Sequence, residues 1–306
     1  MRNTFAQVMT QLAEERNDVC LLSGDIGNRM FDKFKETAPE RFINCGIAEA
    51  NMMSMAAGMG LCGLKPVVYT ITPFTTTRCL EQIRTGVAYH EAPVVIVGTG
   101  SGLSYAELGA THHSLEDLAI LRSIPNLQIC TPADSLELEA QLREVIEKDK
   151  PTYIRIGKKG EPDINRKTSE LGVGKANMLA NGKKNLIIGI GPIIKEAIDA
   201  KETLQTLGID LAIANMGSVK PLDEKFLRDR ADEGYDRWFT LEEHNIIGGL
   251  GSAIIEWLSE NNIKNIRVER IGIRDHFIHN LGSQKYVRRI EGIDAEGITN
   301  IVRDNK

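Results

Sequence analysis

Short runs of β-branched and apolar residues recur along this chain at intervals that leave room for a helix between them. "VCLLSG" (19–24), "KPVVYTI" (65–71), "APVVIVGTG" (92–100), "NLQICTP" (126–132) and "PTYIRI" (151–156) are such runs, and segments of helical period such as "SLELEAQLREVIEKD" (135–149) separate several of them. Strands that are apolar throughout must be covered on both faces, so the alternation predicts an α/β fold with a mainly parallel sheet flanked by helices. The pattern breaks over 157–185, a polar, glycine-rich stretch that reads as a linker with a short edge hairpin. A second series then begins: "NLIIGIG" (185–191), a helix near 192–207, "DLAIANM" (210–216), a helix after Pro221, "RWFTLEE" (237–243), a helix near 249–260 and "NIRVERIGI" (265–273). Two α/β domains are therefore expected, at 1–160 and 183–306, joined by a linker at 161–182.

Composition excludes several classes of function. The net charge is -5 and the cations form no run longer than two, as at Lys158-Lys159, which argues against a nucleic-acid partner. The N-terminal segment is an amphipathic helix with scattered charges and lacks the apolar core of a signal peptide. No stretch approaches the roughly 20 apolar residues of a membrane span. The five cysteines (20, 45, 62, 79 and 130) are odd in number and never spaced C-x-x-C, which fits reduced thiols in a cytoplasmic protein. The chain has no phosphate loop, no H-E-x-x-H and no zinc-like cluster, and "GTGSGL" (98–103) lacks the third glycine of a dinucleotide fingerprint.

One acid stands out. In "NCGIAEANMMSMAAGMG" (44–60), Glu49 is the single charge among glycine, alanine and methionine. A first-turn carboxylate is stabilised by helix amides, which is the ordinary reading. Its neighbours Ile47, Ala48, Ala50 and Met52 also predict partial burial, which favours the neutral acid and calls for a specific partner. A ligand nitrogen able to share a proton would be one.

The stretch "FINCGIAEANMMSMAAGMGLCGLKPVV" (42–68) resembles the signature of the transketolase family of thiamine-diphosphate enzymes, which includes deoxyxylulose-phosphate synthase. The resemblance continues in order through "TPFTTTRCLEQIR" (72–84), "GATHHSLEDLAILRSIPNLQICTPAD" (109–134), "LEEHNIIGGLGSAIIEWL" (241–258) and "IGIRDHFIHNLGS" (271–283). It implies a pyrimidine-binding domain followed by a transketolase C-terminal domain. It also implies that Glu49 meets N1′ of the cofactor's aminopyrimidine, that Phe74 packs on that ring, and that Asp25 and Arg78 line the cofactor cleft. His112 falls on the family's loop histidine and would face the substrate, with His113 a weaker candidate. Arg2, Arg29, Arg78 and Lys158 fall at or near positions that bind the sugar's phosphate or distal hydroxyls. Gly100 stands where transketolases carry a histidine, and Lys158 where they carry an arginine. A lysine lacks the guanidinium fork, so both departures favour an unusual sugar over a common ketose phosphate.

The family's Gly-Asp-Gly followed by an asparagine pair, which binds the diphosphate through Mg²⁺ in an N-terminal domain, does not occur in this sequence: "SGDIGN" lacks the second glycine, and "ENNIKN" (260–265) lies far away in the other domain. The resemblance therefore implies the C-terminal subunit of a split transketolase with no metal ligand of its own. A separate N-terminal subunit would hold Mg²⁺ and the diphosphate end of thiamine diphosphate, in an α2β2 assembly. Two other readings stay open: the β subunit of a 2-oxoacid dehydrogenase E1, and a regulatory homologue without catalysis. Retention of both Glu49 and His112 argues against the second.

Overall fold

The computed structural model describes residues 1–27, 29–165 and 171–305. The linker expected at 161–182 lies partly outside the described residues, as does Asn28 of the "SGDIGN" turn. Among the described residues twelve strands follow in chain order: β1 (Val19–Ser23), β2 (Phe42–Asn44), β3 (Lys65–Ile71), β4 (Val95–Thr99), β5 (Gln128–Cys130), β6 (Thr152–Ile156), β7 (Asn177–Ala180), β8 (Asn185–Gly189), β9 (Leu211–Asn215), β10 (Ser218–Lys220), β11 (Arg237–Asn245) and β12 (Arg267–Ile273). They form two sheets, β10-β5-β6-β4-β3-β1-β2 and β12-β11-β8-β9-β7. All neighbours run parallel except β10 against β5 and β7 against β9, each at a sheet edge. Helices flank both sheets, as the alternation requires. The strand that closes the first sheet, β10, comes from the chain that otherwise builds the second. A turn at Gly217 (φ 67) carries the backbone back, and Thr131 donates to its carbonyl at 2.8 Å.

The helices form for local reasons. Ser135–Glu147 starts at Asp134, whose carboxylate caps the Glu137 N–H at 3.0 Å, and it buries Leu138, Leu142, Val145 and Ile146 on one stripe. Helix Glu49–Leu61 also buries a stripe, of Met52, Met53, Ala56, Ala57 and Gly60, while Asn51, Ser54, Gly58 and Leu61, with Ile47 and Ala48 just before the helix, face outward without a single charge. Burying each methionine stabilises the fold by about 1.5–3 kcal/mol. Gly60 lets the helix approach closely there: a Cβ would meet the Pro93 ring at a tight 3.2 Å. Among the described residues no helix is long and apolar enough to cross a membrane.

The first sheet grows from β1 to β2 on one side and resumes at β3 on the other, so β1 and β3 flank a switch point. Open α/β sheets bind ligands in the crevice outside the carboxyl ends of such strands. Among the loops that leave the sheet at that end are those following β1, β3, β4 and β6.

Candidate active site

Each of those loops carries a residue singled out from the sequence. Asp25 follows β1, Phe74 and Arg78 follow β3, His112 lies on the long loop after β4, and Lys158 follows β6. Glu49 reaches the same end as the first residue of the helix leading into β3.

Glu49 is 4% exposed, and its Oε1 accepts a hydrogen bond from Arg78 Nη1 at 2.9 Å. Among the described residues no other group hydrogen-bonds to this carboxylate, so Oε2 is open. The backbone beside it is close: a Cβ on Gly24 would lie 3.5 Å from Glu49 Cγ and 3.0 Å from Thr70 Cβ. Thr70 Oγ1 is buried there with no hydrogen-bond partner. The Arg78 guanidinium also lies 4.1 Å above the Phe74 ring. Beside this group Cys79 donates its thiol to the Phe74 carbonyl at 3.1 Å; burial, with a smaller contribution from the Glu49 charge, pushes the thiol up to about 12, so it is no nucleophile.

The Phe74 ring meets His112 edge-on at 5.4 Å, and His112 meets Tyr105 in the same way at 5.9 Å. Lys158 Nζ stands 4.4 Å from the Tyr105 ring centroid and donates to Glu107 at 2.9 Å. Glu49, Arg78, Phe74, His112, Tyr105 and Lys158 therefore form one continuous line of contacts. The His112 Nδ1 lies 2.9 Å from Thr111 Oγ1, which leaves Nε2 open. Burial, helped by the neighbouring His113 and opposed by Glu107, holds the His112 pKa below its usual 6.5, so the imidazole is neutral at pH 7. His113 turns inward, is buried, and lies against the Ala106 carbonyl at 3.2 Å.

The remaining candidates lie off this line. Asp25 has a left-handed backbone (φ 56), is exposed, and accepts from Asn44 Nδ2 at 3.0 Å. Arg2 and Arg29 line a separate groove of about 760 Å³ with Lys33, and Arg2 Nε is buried without a partner. Arg2 follows Met1, whose amino group bonds Glu161 at 2.8 Å, three residues beyond Lys158.

Tyr105 was missed in the sequence because its importance depends on Gly100. That glycine is left-handed (φ 83), and a Cβ on it would lie 2.1 Å from Tyr105 Cε2. The tyrosine ring fills the space a side chain at position 100 would need. Arg155 was missed too, although a cation inside the apolar run "PTYIRI" is itself a signal of a buried partner; its Nε lies 2.9 Å from Asp117 Oδ2, off the hydrogen-bond direction, in a fully buried ion pair.

The residues present suit an aminopyrimidine: a buried acid with one open oxygen, an orphaned hydroxyl and a flat aromatic face, at a switch point between parallel strands. A sheet of this order with such a crevice defines a pyrimidine-binding α/β domain. Residues 1–161 match the family Transketolase, pyrimidine binding domain, and residues 174–298 match Transketolase, C-terminal domain. The chain belongs to the thiamine-diphosphate-dependent transketolase family of transferases. It is 34% identical over 300 residues to an apulose-4-phosphate transketolase subunit of Phocaeicola vulgatus, covering 97% of this chain and 94% of that one. It is 33% identical over 300 residues to the 6-deoxy-6-sulfo-D-fructose transketolase subunit SqwH of a Clostridium species, covering 97% and 92%. Among solved structures, a split-gene transketolase described as an inactive beta4 tetramer aligns with a TM-score of 0.88 and 31% identity, over 99% of this chain and 96% of that one.

Proposed function

We propose that this chain is the C-terminal subunit of a two-subunit transketolase, which moves a two-carbon ketol unit from a ketose to an aldose. The observation that carries this reading is Glu49: a buried carboxylate with one oxygen bonded by Arg78 and the other open. Thiamine diphosphate, when bound, supplies the nucleophilic carbon that carries the two-carbon unit. Glu49 holds a proton shared with the pyrimidine N1′. Arg78 fixes the Glu49 side chain through Oε1. Phe74 offers its ring face to the pyrimidine, and Asp25 lines the cleft at the end of β1. In the tautomer with its proton on Nε2, neutral His112 donates that proton in a hydrogen bond to a substrate oxygen. Lys158 receives the anionic or polyhydroxylated end of the sugar; Arg2 and Arg29, for which the resemblance suggests the same role, line a separate groove.

The uncharged outer face of helix Glu49–Leu61 adjoins Glu49, with Ile47 80% exposed and Leu61 57% exposed. An uncharged face this close to the open carboxylate suits an N-terminal subunit that brings Mg²⁺ and the diphosphate site, giving an α2β2 enzyme in the cytoplasm. The inactive beta4 assembly of the related split transketolase supports a requirement for that partner. The transketolase names of the relatives favour ketol transfer over a 2-oxoacid dehydrogenase component. The sugars in their names, apulose-4-phosphate and 6-deoxy-6-sulfo-D-fructose, support an unusual sugar here as well.

The test is a native pull-down of this chain from its source cells, with thiamine diphosphate quantified in the eluate. Co-elution of a second subunit, with cofactor present only in that complex, supports the split enzyme. Tight cofactor binding by the chain alone, or failure to recover a partner, would overturn it.

A further inference from the structure

The second domain carries none of the residues proposed to touch cofactor or substrate, yet it grips the loop that carries His112. Asn245, at the end of β11, donates its N–H to the Leu115 carbonyl at 2.8 Å. Arg155 Nη2 donates to the Ser114 carbonyl at 2.5 Å and to the Glu243 carbonyl at 2.9 Å, bridging the loop to β11. Ser114 in turn donates to Gly102 at 3.0 Å, closing the base of the loop. At that point the backbone of Gly102 comes so near β11 that a Cβ would lie 2.8 Å from the Glu243 carbonyl oxygen. Above, Leu281 of the second domain packs on Gly109, where a Cβ would lie 3.5 Å from its Cδ1. His112 and His113 both donate their N–H to the Gly109 carbonyl.

Resting on the role proposed for His112, we infer that the second domain is a clamp that positions this histidine, with Arg155 as the positioning residue that transmits the grip. Arg155 suits the task because it is 5% exposed and is held from behind by Asp117, which also accepts from Tyr153 Oη at 2.7 Å. Its Nη2 reaches a carbonyl in each domain at once while its Nε lies against Asp117. A lysine has a single nitrogen at its tip and cannot face Asp117 and both carbonyls together. His244, also buried, completes the back of the cluster: its Nε2 accepts from the Ala119 N–H at 3.4 Å and its Nδ1 donates to the Asn245 carbonyl at 2.6 Å, so it is held as the neutral ring.

The test compares full-length wild type with Arg155→Lys by titrating the His112 imidazole with NMR and by measuring kcat and KM in the reconstituted complex. The charged groups near His112 are Glu107, His113, and Lys158 beyond Tyr105, and none of them is altered. Loosening the loop admits water, so the His112 pKa rises toward 6.5. A displaced side chain lowers kcat by about ten- to a hundredfold with KM little changed. Arg122→Gln is the control. It breaks another tie between the domains, the paired 2.7 Å bonds to Glu256, away from the loop. It should leave both readouts as they are.

Unchanged titration and kcat in a folded Arg155→Lys variant would overturn the inference, as would equal shifts from Arg122→Gln. Should Arg155→Lys fail to fold, Leu281→Ser, at a residue 48% exposed, tests the same grip and should shift the titration in the same direction. Full activity of His112→Ala, together with a shifted titration in Arg155→Lys, would refute the role of His112 while leaving the clamp intact.

Discussion

Arg78 and Glu49 meet at 2.9 Å across an uneven boundary: the carboxylate side chain is 4% exposed and the guanidinium side chain 46%. The two partners should therefore respond differently to removal. Without Arg78 a buried carboxylate loses its only hydrogen-bond donor among the described residues, whereas without Glu49 the guanidinium turns to water. Arg78→Ala should cost about 1–2 kcal/mol of stability and Glu49→Gln less than about 1. Urea denaturation of both variants at neutral pH measures the difference, and equal losses would contradict the asymmetry.

Gly100 and Tyr105 should be coupled. Gly100→Ala places a Cβ 2.1 Å from the Tyr105 ring at a left-handed position, so it should destabilise by about 1–3 kcal/mol. In a Tyr105→Ala background only the backbone strain remains, and the added cost of Gly100→Ala should fall by at least about 1 kcal/mol. A double-mutant cycle from denaturation curves reads this directly. Additive effects would show that the ring is not what demands the glycine.

Buried titratable groups give a signed pH dependence. Burial pushes Glu137 up to about 7, against donors at Ala133 and Asn215, and pushes His244 down to about 4, against the nearby Asp117. The folded state thus keeps the Glu137 proton after the unfolded chain has released its own, and stability from this group falls as pH rises from about 4.5 to 7. His244 acts in the opposite direction: the unfolded chain takes up a proton below about 6.5 that the folded state refuses, so stability falls as pH drops toward 4. Glu137→Gln should reduce the loss of melting temperature between about pH 5 and pH 8, and His244→Gln the loss on acidification below about pH 6. Unaltered profiles would mean that neither group titrates as its surroundings require.

Much of this fold was legible in the sequence because parallel strands are specified by local composition. "KPVVYTI" and "APVVIVGTG" became β3 and β4 with the apolar burial that their residues demand. Glu49 stood out for a local reason as well, as one acid in an uncharged helix. His112 did not, since its surroundings are polar and only the family resemblance marked it. Nothing local announced β10, a three-residue strand whose pairing with β5 depends on a turn made by a distant part of the chain. Arg155 was hidden for the same reason, since its role arises from Glu243 far along the chain, and Tyr105 because its place follows from the left-handed backbone of Gly100.

Lys158 should matter to substrate and hardly to stability. Its pair with Glu107 is open to solvent, with side-chain exposures of 36% and 49%, and such pairs contribute about 0–1 kcal/mol. Lys158→Ala should leave denaturation curves within about 0.5 kcal/mol of wild type. It should raise KM for an anionic sugar by about tenfold, for the loss of a charge-assisted hydrogen bond worth roughly 1.5 kcal/mol. A KM that does not move would remove Lys158 from the substrate end.

The most direct test is ketol transfer by the complex of Glu49→Gln with the N-terminal subunit, at saturating thiamine diphosphate and with assembly checked by gel filtration. A glutamine keeps the shape and loses the proton exchange. The variant should assemble normally while kcat falls by at least about a hundredfold. A complex that assembles and turns over at the wild-type rate would contradict the account, because the one buried acid of helix Glu49–Leu61 would then have no part in the chemistry.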